Sequence, residues 1–222
     1  MSRLSSTADT GAEAAVDERR QDLLDRLTTE LGDAVVAHHL RAADDLWVRV
    51  RTDAWRATGL AVRDVLGCEY FCYLSALDWL PSPYGRGEDD PTEPPPERTT
   101  EVRSGIAGGD TRFQVLARVV NPHRHVGLTL KVDVPDDTMT IESWWNVYAG
   151  ANWHERETWE MFGIVFAGHP SLTHLYLPSG FEGHPLRKDF PLLARMVKPW
   201  PGIVDVEPMP ADIEGDAEVE GE

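Results

Sequence analysis

FQVLARVVNPHRHVGLTLKVDV, residues 113–134, decides the fold class. Two Val- and Leu-rich runs flank Asn121-Pro122-His123-Arg124, a cluster of turn-forming residues, so the spacing predicts an antiparallel hairpin. Upstream, the stretch from Leu80 to about Gly109 is rich in Pro, Gly and acids and reads as a flexible, solvated insert. Before it, Cys68 to about Asp78 reads as a strand. A helix capped by Thr52 or Asp53 precedes that strand, running to about Leu66 and stopping at Gly67. Further back, AVVAHHL (34–40) and DLWVRVR (45–51) read as two strands joined by a turn around Ala42–Asp44. Val16, Leu23, Leu24, Leu27 and Leu31 fall at helical spacing, with Gly32 as the stop.

The order helix, two strands, helix, three strands predicts an α+β protein. Its expected architecture is a two-layer sandwich, with helices on one face of a mixed, roughly five-stranded sheet. Two short helices are expected downstream, at Ile141–Tyr148 and Trp153–Phe162. No GxGxxG or GxxxxGK[ST] follows a strand, so neither a dinucleotide nor ATP has an evident place. The expected division is a disordered N-terminus (1–15), an α+β domain (16–166, with the insert at about 80–109), an extended partner-binding segment (167–204) and an acidic disordered tail (205–222).

Charge and cysteine content narrow the function. The formal net charge is −17, which disfavours nucleic acid and anionic lipid as partners. No run reaches the roughly 18 apolar residues of a membrane span, and the N-terminal residues lack an apolar signal core. Membrane contact is therefore expected only through a partner. Cys68 and Cys72 are the only cysteines, too few for an iron–sulfur cluster or a structural zinc site. They read as buried thiols on one face of a strand.

GANWHERETWEMFGIVFAGHPSLTHLYLPSGFEGHPLRKDFP, residues 150–191, carries the remaining information. Asn152 is the expected N-cap of a helix that Gly163 ends. Glu155, Trp159 and Phe162 share one stripe of it, and Arg156 and Glu160 are spaced to pair at i, i+4. Three chemical readings compete. Glu155, Glu157 and Glu160 can be taken as a catalytic carboxylate set, but such spacing on one helix is more often structural. His154-Glu155 matches the start of HExxH, yet Thr158 stands where the second histidine belongs. His169, His174 and His184 are metal-ligand types, but two of them sit in Gly-His-Pro turns. No catalytic, metal or cofactor-binding residue is therefore assigned. The prolines at 185 and 191 favour an extended, charged strap suited to gripping a neighbour.

The two blocks WHERETWEMFGIVFAGHP and GFEGHPLRKDFPL closely resemble the NuoC family, the 30-kDa subunit of respiratory complex I. Trp153, Glu155, Arg156, Glu157, Trp159, Met161, Phe162, Gly163, Ile164, Phe166, Gly168, His169 and Pro170 fit the first block. Gly183, Pro185, Leu186, Arg187, Lys188, Asp189, Phe190 and Pro191 fit the second. Glu160 departs from the family's usual Asp, and Thr173 and His174 replace residues that are often basic.

The resemblance implies a subunit of an NADH:quinone oxidoreductase, a proton-pumping translocase of the respiratory chain. It implies no catalytic or redox centre in this chain, with FMN and iron–sulfur clusters in other subunits. The implied partners are the quinone-site chain that resembles a hydrogenase large subunit, the terminal-cluster subunit and other peripheral-arm subunits. The implied location is the cytoplasmic side of the cell membrane, held peripherally. Glu155, Arg156, Glu157, Trp159, His169, Arg187, Lys188, Asp189 and Trp200 are the expected interface residues, the charged ones as buried or interfacial ion pairs. Leu192, Leu193, Met196, Trp200, Ile203 and Val204 are apolar enough to dock on a partner. The alternatives are the same module in a membrane-bound hydrogenase or an other-donor dehydrogenase, and more distantly a stand-alone carboxylate/histidine hydrolase.

Overall fold

The computed structural model describes residues 7–41, 44–83 and 101–191, with side chains from Glu18 onward. In chain order the elements are α1 (Thr7–Leu31), β1 (Val35–His39), β2 (Leu46–Val50), α2 (Trp55–Asp64), β3 (Tyr70–Asp78), β4 (Phe113–Asn121), β5 (Val126–Val134), β6 (Thr140–Glu142), α3 (Ala151–Phe162) and β7 (Val165–Ala167). β1 to β5 form a mixed sheet in the order β1-β2-β5-β4-β3. The hairpin is its centre, and β2 joins β5 in parallel, with Val48 opposite Leu130. The expected α+β class is observed.

Strand alternation divides the sheet into two chemically different faces. Val48, Val50, Val115, Ala117, Leu128, Leu130, Val132 and Leu74 point to one side, where Leu23, Leu24 and Leu27 of α1 and Trp55 and Val62 of α2 complete the core. Arg49, Gln114, Arg118, Thr129, Lys131 and Asp133 point to the other. That face is largely covered as well, because residues 104–110 lie across it. Lys131 Nζ donates to the Ile106 carbonyl at 2.7 Å, Gln114 Nε2 to the Gly108 carbonyl at 3.1 Å, and Arg49 Nη1 to Asp110 at 3.0 Å. Burial pulls the Lys131 pKa down to about 8.

The reading of 80–109 as a solvated excursion therefore needs correcting for its last part, which is stapled to the sheet. Composition missed this because polar anchors on the strands, not apolar residues in the loop, hold it. Residues 84–100 lie outside the described residues.

Other boundaries also shift. α1 begins at Thr7, ahead of Val16, and the Ala-rich stretch 12–15 has the propensity to extend a helix. Neither Thr52 nor Asp53 caps α2: the Thr52 hydroxyl donates to the Asp133 carbonyl, and Asp53 pairs with Arg51. Gly67 does end that segment, at φ +68°. Cys68 lies ahead of β3, and Cys72 stands at a register shift between Phe71 and Tyr73. The two thiols are thus not on one regular strand face. Cys68 is buried, which pushes its thiol pKa up to about 12.

No helix forms over Ile141–Tyr148. Ile141 belongs to β6, which pairs in parallel with β7, and a series of turns follows. Trp144 holds those turns in place. It stacks on Trp55 at 4.2 Å between ring centroids and donates its indole N–H to the Trp55 carbonyl at 2.9 Å. Among the described residues, no helix is long and apolar enough to cross a membrane.

Candidate functional site

α3 and the strap that follows it carry both sequence blocks. The helix packs beside β3, where His154 Nδ1 donates to the Leu74 carbonyl at 3.0 Å. The carbonyl can only accept, so this nitrogen carries the proton. The expected N-cap at Asn152 is not formed: the helix starts at Ala151, after Gly150, without a side-chain cap. The Asn152 carbonyl instead accepts from His169 Nε2 at 3.2 Å, while His169 Nδ1 accepts from the Ser171 N–H at 3.1 Å. His169 is therefore neutral in this arrangement, and burial lowers its pKa.

A helix leaves its last four carbonyls without internal partners. Here all four are closed, and three of the donors come from the second block. Gly163 N–H donates to Trp159 O at 2.8 Å and His184 Nδ1 to Glu160 O at 2.9 Å. Leu186 N–H donates to Met161 O at 3.1 Å and Arg187 Nε to Phe162 O at 2.6 Å. The Arg187 charge also complements the negative end of the helix dipole. Gly163 is required twice over. Its φ is +76°, and a Cβ there would collide with Arg187 Nη2 and lie 2.6 Å from His184 Nε2.

Between its ends the strap follows the length of α3. Arg156 donates to the carbonyls of Thr173 and His174, both at 3.0 Å. One turn on, the buried Glu160 carboxylate accepts from the N–H groups of Leu175, Tyr176 and Leu177 and from His174 Nδ1, at 2.6–3.1 Å. Burial by itself would raise the Glu160 pKa. The bonds from Tyr176, Leu177, Leu175 and His174 outweigh it, and the group ionises below the usual carboxylate value. Arg156 and Glu160 thus hold the carbonyls and amides of one strap segment.

Glu155 faces the other way, into the core. Its side chain accepts from the Ser143 hydroxyl and, at 2.5 Å, from the Trp144 N–H. No cation pairs with it among the described residues. Burial outweighs both hydrogen bonds and lifts its pKa to about 7.

The end of the strap is tied to the sheet through Asp78, whose side chain is fully buried. Asp78 accepts a two-pronged contact from Arg112, at 2.9 and 2.7 Å, and the Lys188 N–H at 2.8 Å. Arg112 also reaches Asp189 at 2.9 Å. Both Arg112 and Arg187 lie over the Phe113 ring, 4.6 and 5.4 Å from its centroid.

Within the described residues of this chain, Asp189 pairs with Arg112. Glu155 binds the Ser143 hydroxyl and Trp144 N–H, while Arg156 and Arg187 bind backbone carbonyls, because α3 and the strap bury their polar backbone against each other. Glu157 and the Lys188 ammonium make no ion pair among the described residues. Trp159 is half-buried with its ring 5.2 Å from His174. Trp200 and the apolar residues from Leu192 lie outside the described residues.

Sequence reasoning missed the parts played by Glu160, His184, Asp78 and Arg112. The signal for His184 was present: a Gly-His-Pro turn placed shortly after a helix that has no basic residue in its last turn. The arrangement positions backbone, and in it the exposed His174 is hydrogen-bonded to the buried Glu160 carboxylate. Among the described residues, no group of three or more His, Cys, Asp or Glu is placed to hold a metal ion.

The comparisons agree with the two blocks. The family model described as respiratory-chain NADH dehydrogenase, 30 Kd subunit, matches residues 48–196. The C subunit of NADH-quinone oxidoreductase from Xanthomonas oryzae pv. oryzae is 31% identical over 202 residues, which is 81% of this chain and 80% of that protein. The C/D subunit from Citrobacter koseri is 41% identical over 104 residues, covering 47% of this chain and 17% of that longer protein. In fold, the chain is similar to one in the membrane-bound sulfane sulfur reductase, an archaeal respiratory membrane complex. That match has a TM-score of 0.55 and 18% identity, over 79% of this chain and 88% of that one. The chain belongs to the 30 kDa subunit family of respiratory-chain NADH dehydrogenase, the NuoC family of complex I.

Proposed function

We propose that this chain is a non-catalytic scaffold subunit in the peripheral arm of a complex I-type NADH:quinone oxidoreductase. It braces the quinone-site subunit, close to the terminal-cluster subunit, on the cytoplasmic side of the membrane. FMN and the iron–sulfur clusters reside in other subunits. The observation that carries this reading is the use made of the charged motif. Glu160, Arg156, His184 and Arg187 fix the course of the strap along α3. Trp153, Tyr176 and Leu186 project from that frame, 67%, 63% and 51% exposed. Large apolar groups held outward on a rigid support are what a partner in an assembly can bury.

The test is a mild-detergent pull-down of the tagged chain from its native membranes, with an NADH oxidation assay. The expected result is a flavin- and cluster-containing assembly that reduces quinone, recovered in lower yield with Trp153→Asp and Tyr176→Asp. Recovery of a lone chain, or turnover by the isolated chain, overturns the proposal.

A further inference from the structure

At the tip of the β4–β5 hairpin the fold gathers positive charge in a chain whose formal net charge is −17. A cavity of about 170 Å³ opens there, lined by Arg19 and Arg20 of α1, Arg118 and Val120 of β4, and residues 125–127. Among the described residues, no acidic side chain lines it. Three guanidinium groups and His125 face a space bounded otherwise by Val120, Val126 and Gly127.

The three arginines are not equivalent. Arg118 is fixed by Asp45 and by the Thr129 hydroxyl, and its charge is balanced by that carboxylate. It lies across Gly127, where a Cβ would come within 3.2 Å of its Nη2. Arg19 and Arg20 have no ion-pair partner among the described residues. Arg20 Nη1 is buried and makes no hydrogen bond. Arg20 also faces Arg118 closely enough that, after burial, its charge is the main influence weakening the proton affinity of Arg118. Two cations without an ion-pair partner among the described residues thus line one small space beside a third.

We propose that this cavity binds a small free oxyanion of the phosphate class. Guanidinium forks match phosphate oxygens in geometry, and a phosphate charge of about −1.5 to −2 matches the two unbalanced arginines better than a single carboxylate does. The volume is below the roughly 300–1,000 Å³ of pockets that enclose a drug-sized ligand, so a nucleotide does not fit inside. The acidity of the whole chain opposes approach to an anionic lipid surface. Arg19 and Arg20 precede residue 48, where the family match begins, whereas Arg118, Val120 and residues 125–127 lie within it.

The test titrates inorganic phosphate into the full-length chain and follows the arginine Nε–Hε resonances by NMR, with sodium chloride of equal ionic strength as reference. Saturable shifts at Arg20 and Arg118 that chloride does not produce are expected. Arg20→Gln weakens binding by about tenfold or more, the usual consequence of losing a charge-assisted contact. Arg19→Gln weakens it less, and the exposed Arg103→Gln leaves it unchanged. Phosphate shifts no larger than those of chloride overturn the site. So do shifts that persist in both Arg19→Gln and Arg20→Gln when the rest of each spectrum matches the parent. Phosphatidylcholine vesicles containing phosphatidate, at the same total phosphate, leave the chain in the supernatant. Co-sedimentation that depends on Arg20 overturns the assignment to a free ion.

Discussion

Arg187 Nε donates to the carbonyl of Phe162 at 2.6 Å, joining the second sequence block to the last turn of the helix made by the first. With His184 and Leu186 it closes carbonyls that a free helix end would leave to water. The two blocks are therefore one structural unit, and its parts can be tested separately.

Removing the Arg187 side chain takes away a charged donor and exposes the helix end. Arg187→Ala is expected to lose about 2 kcal/mol of stability, from the usual worth of a hydrogen bond to a charged group. Urea unfolding and amide exchange in the last turn of α3 provide the measurement. A parent-like urea midpoint would show that the contact contributes nothing.

Gly163 and Gly168 separate backbone strain from crowding. Both have positive φ, +76° and +86°, but a Cβ at Gly168 meets nothing within 4 Å, whereas one at Gly163 meets Arg187 and His184. Gly168→Ala is expected to cost about 1–2 kcal/mol, the penalty of the left-handed region. Gly163→Ala is expected to cost clearly more, because the strap has to move. Equal thermal shifts in the two variants refute the crowding argument.

Glu155 gives a pH signature. Its pKa is about 7 in the folded protein, above its ordinary value of 4.5, because burial disfavours the ionised form. The neutral group is the compatible one, so its contribution is fully favourable below about 4.5 and declines as pH rises to about 7. The loss is up to about 3 kcal/mol by linkage. Glu155→Gln keeps an acceptor for the Trp144 N–H and cannot ionise. Between pH 5 and pH 8 its urea midpoint should fall less than that of the parent; parallel curves contradict the reading.

Glu160 behaves in the opposite sense. Its folded pKa is lowered, so its contribution is present above the ordinary carboxylate value and is lost as pH falls through the lower folded value. Glu160→Ala leaves three strap amides without an acceptor. Limited proteolysis at neutral pH is expected to cut the variant near 173–177 first, while the parent resists there. An identical cleavage pattern removes Glu160 from this role.

The sheet was readable because its strands obey a period of two and its turns carry Pro, Asn and Gly. Val115 to Val119 and Leu128 to Val132 announce the core face directly. The polar face was not readable. Nothing in the order of Arg49 and Lys131 says that residues 106–110 will supply their partners, since those contacts join distant parts of the sequence. Helix-local reasoning failed similarly at Arg156 and Glu160. Their spacing suits a pair within the helix, but each meets strap backbone groups that nothing else in the helix satisfies. Ile141–Tyr148 misled because its aromatic residues look helical in spacing, while Trp144 serves as an anchor in a turn.

The parallel seam between β2 and β5 has a consequence for the growing polypeptide. Leu46–Val50 can pair with β1 as soon as both are made, but its other edge waits for Leu128–Val132. During synthesis at about 5–20 residues per second, that open edge persists for several seconds. The N-terminal half therefore depends on residues far downstream to finish its sheet. Truncations that stop short of Val134 are expected to leave it prone to association with other polypeptides.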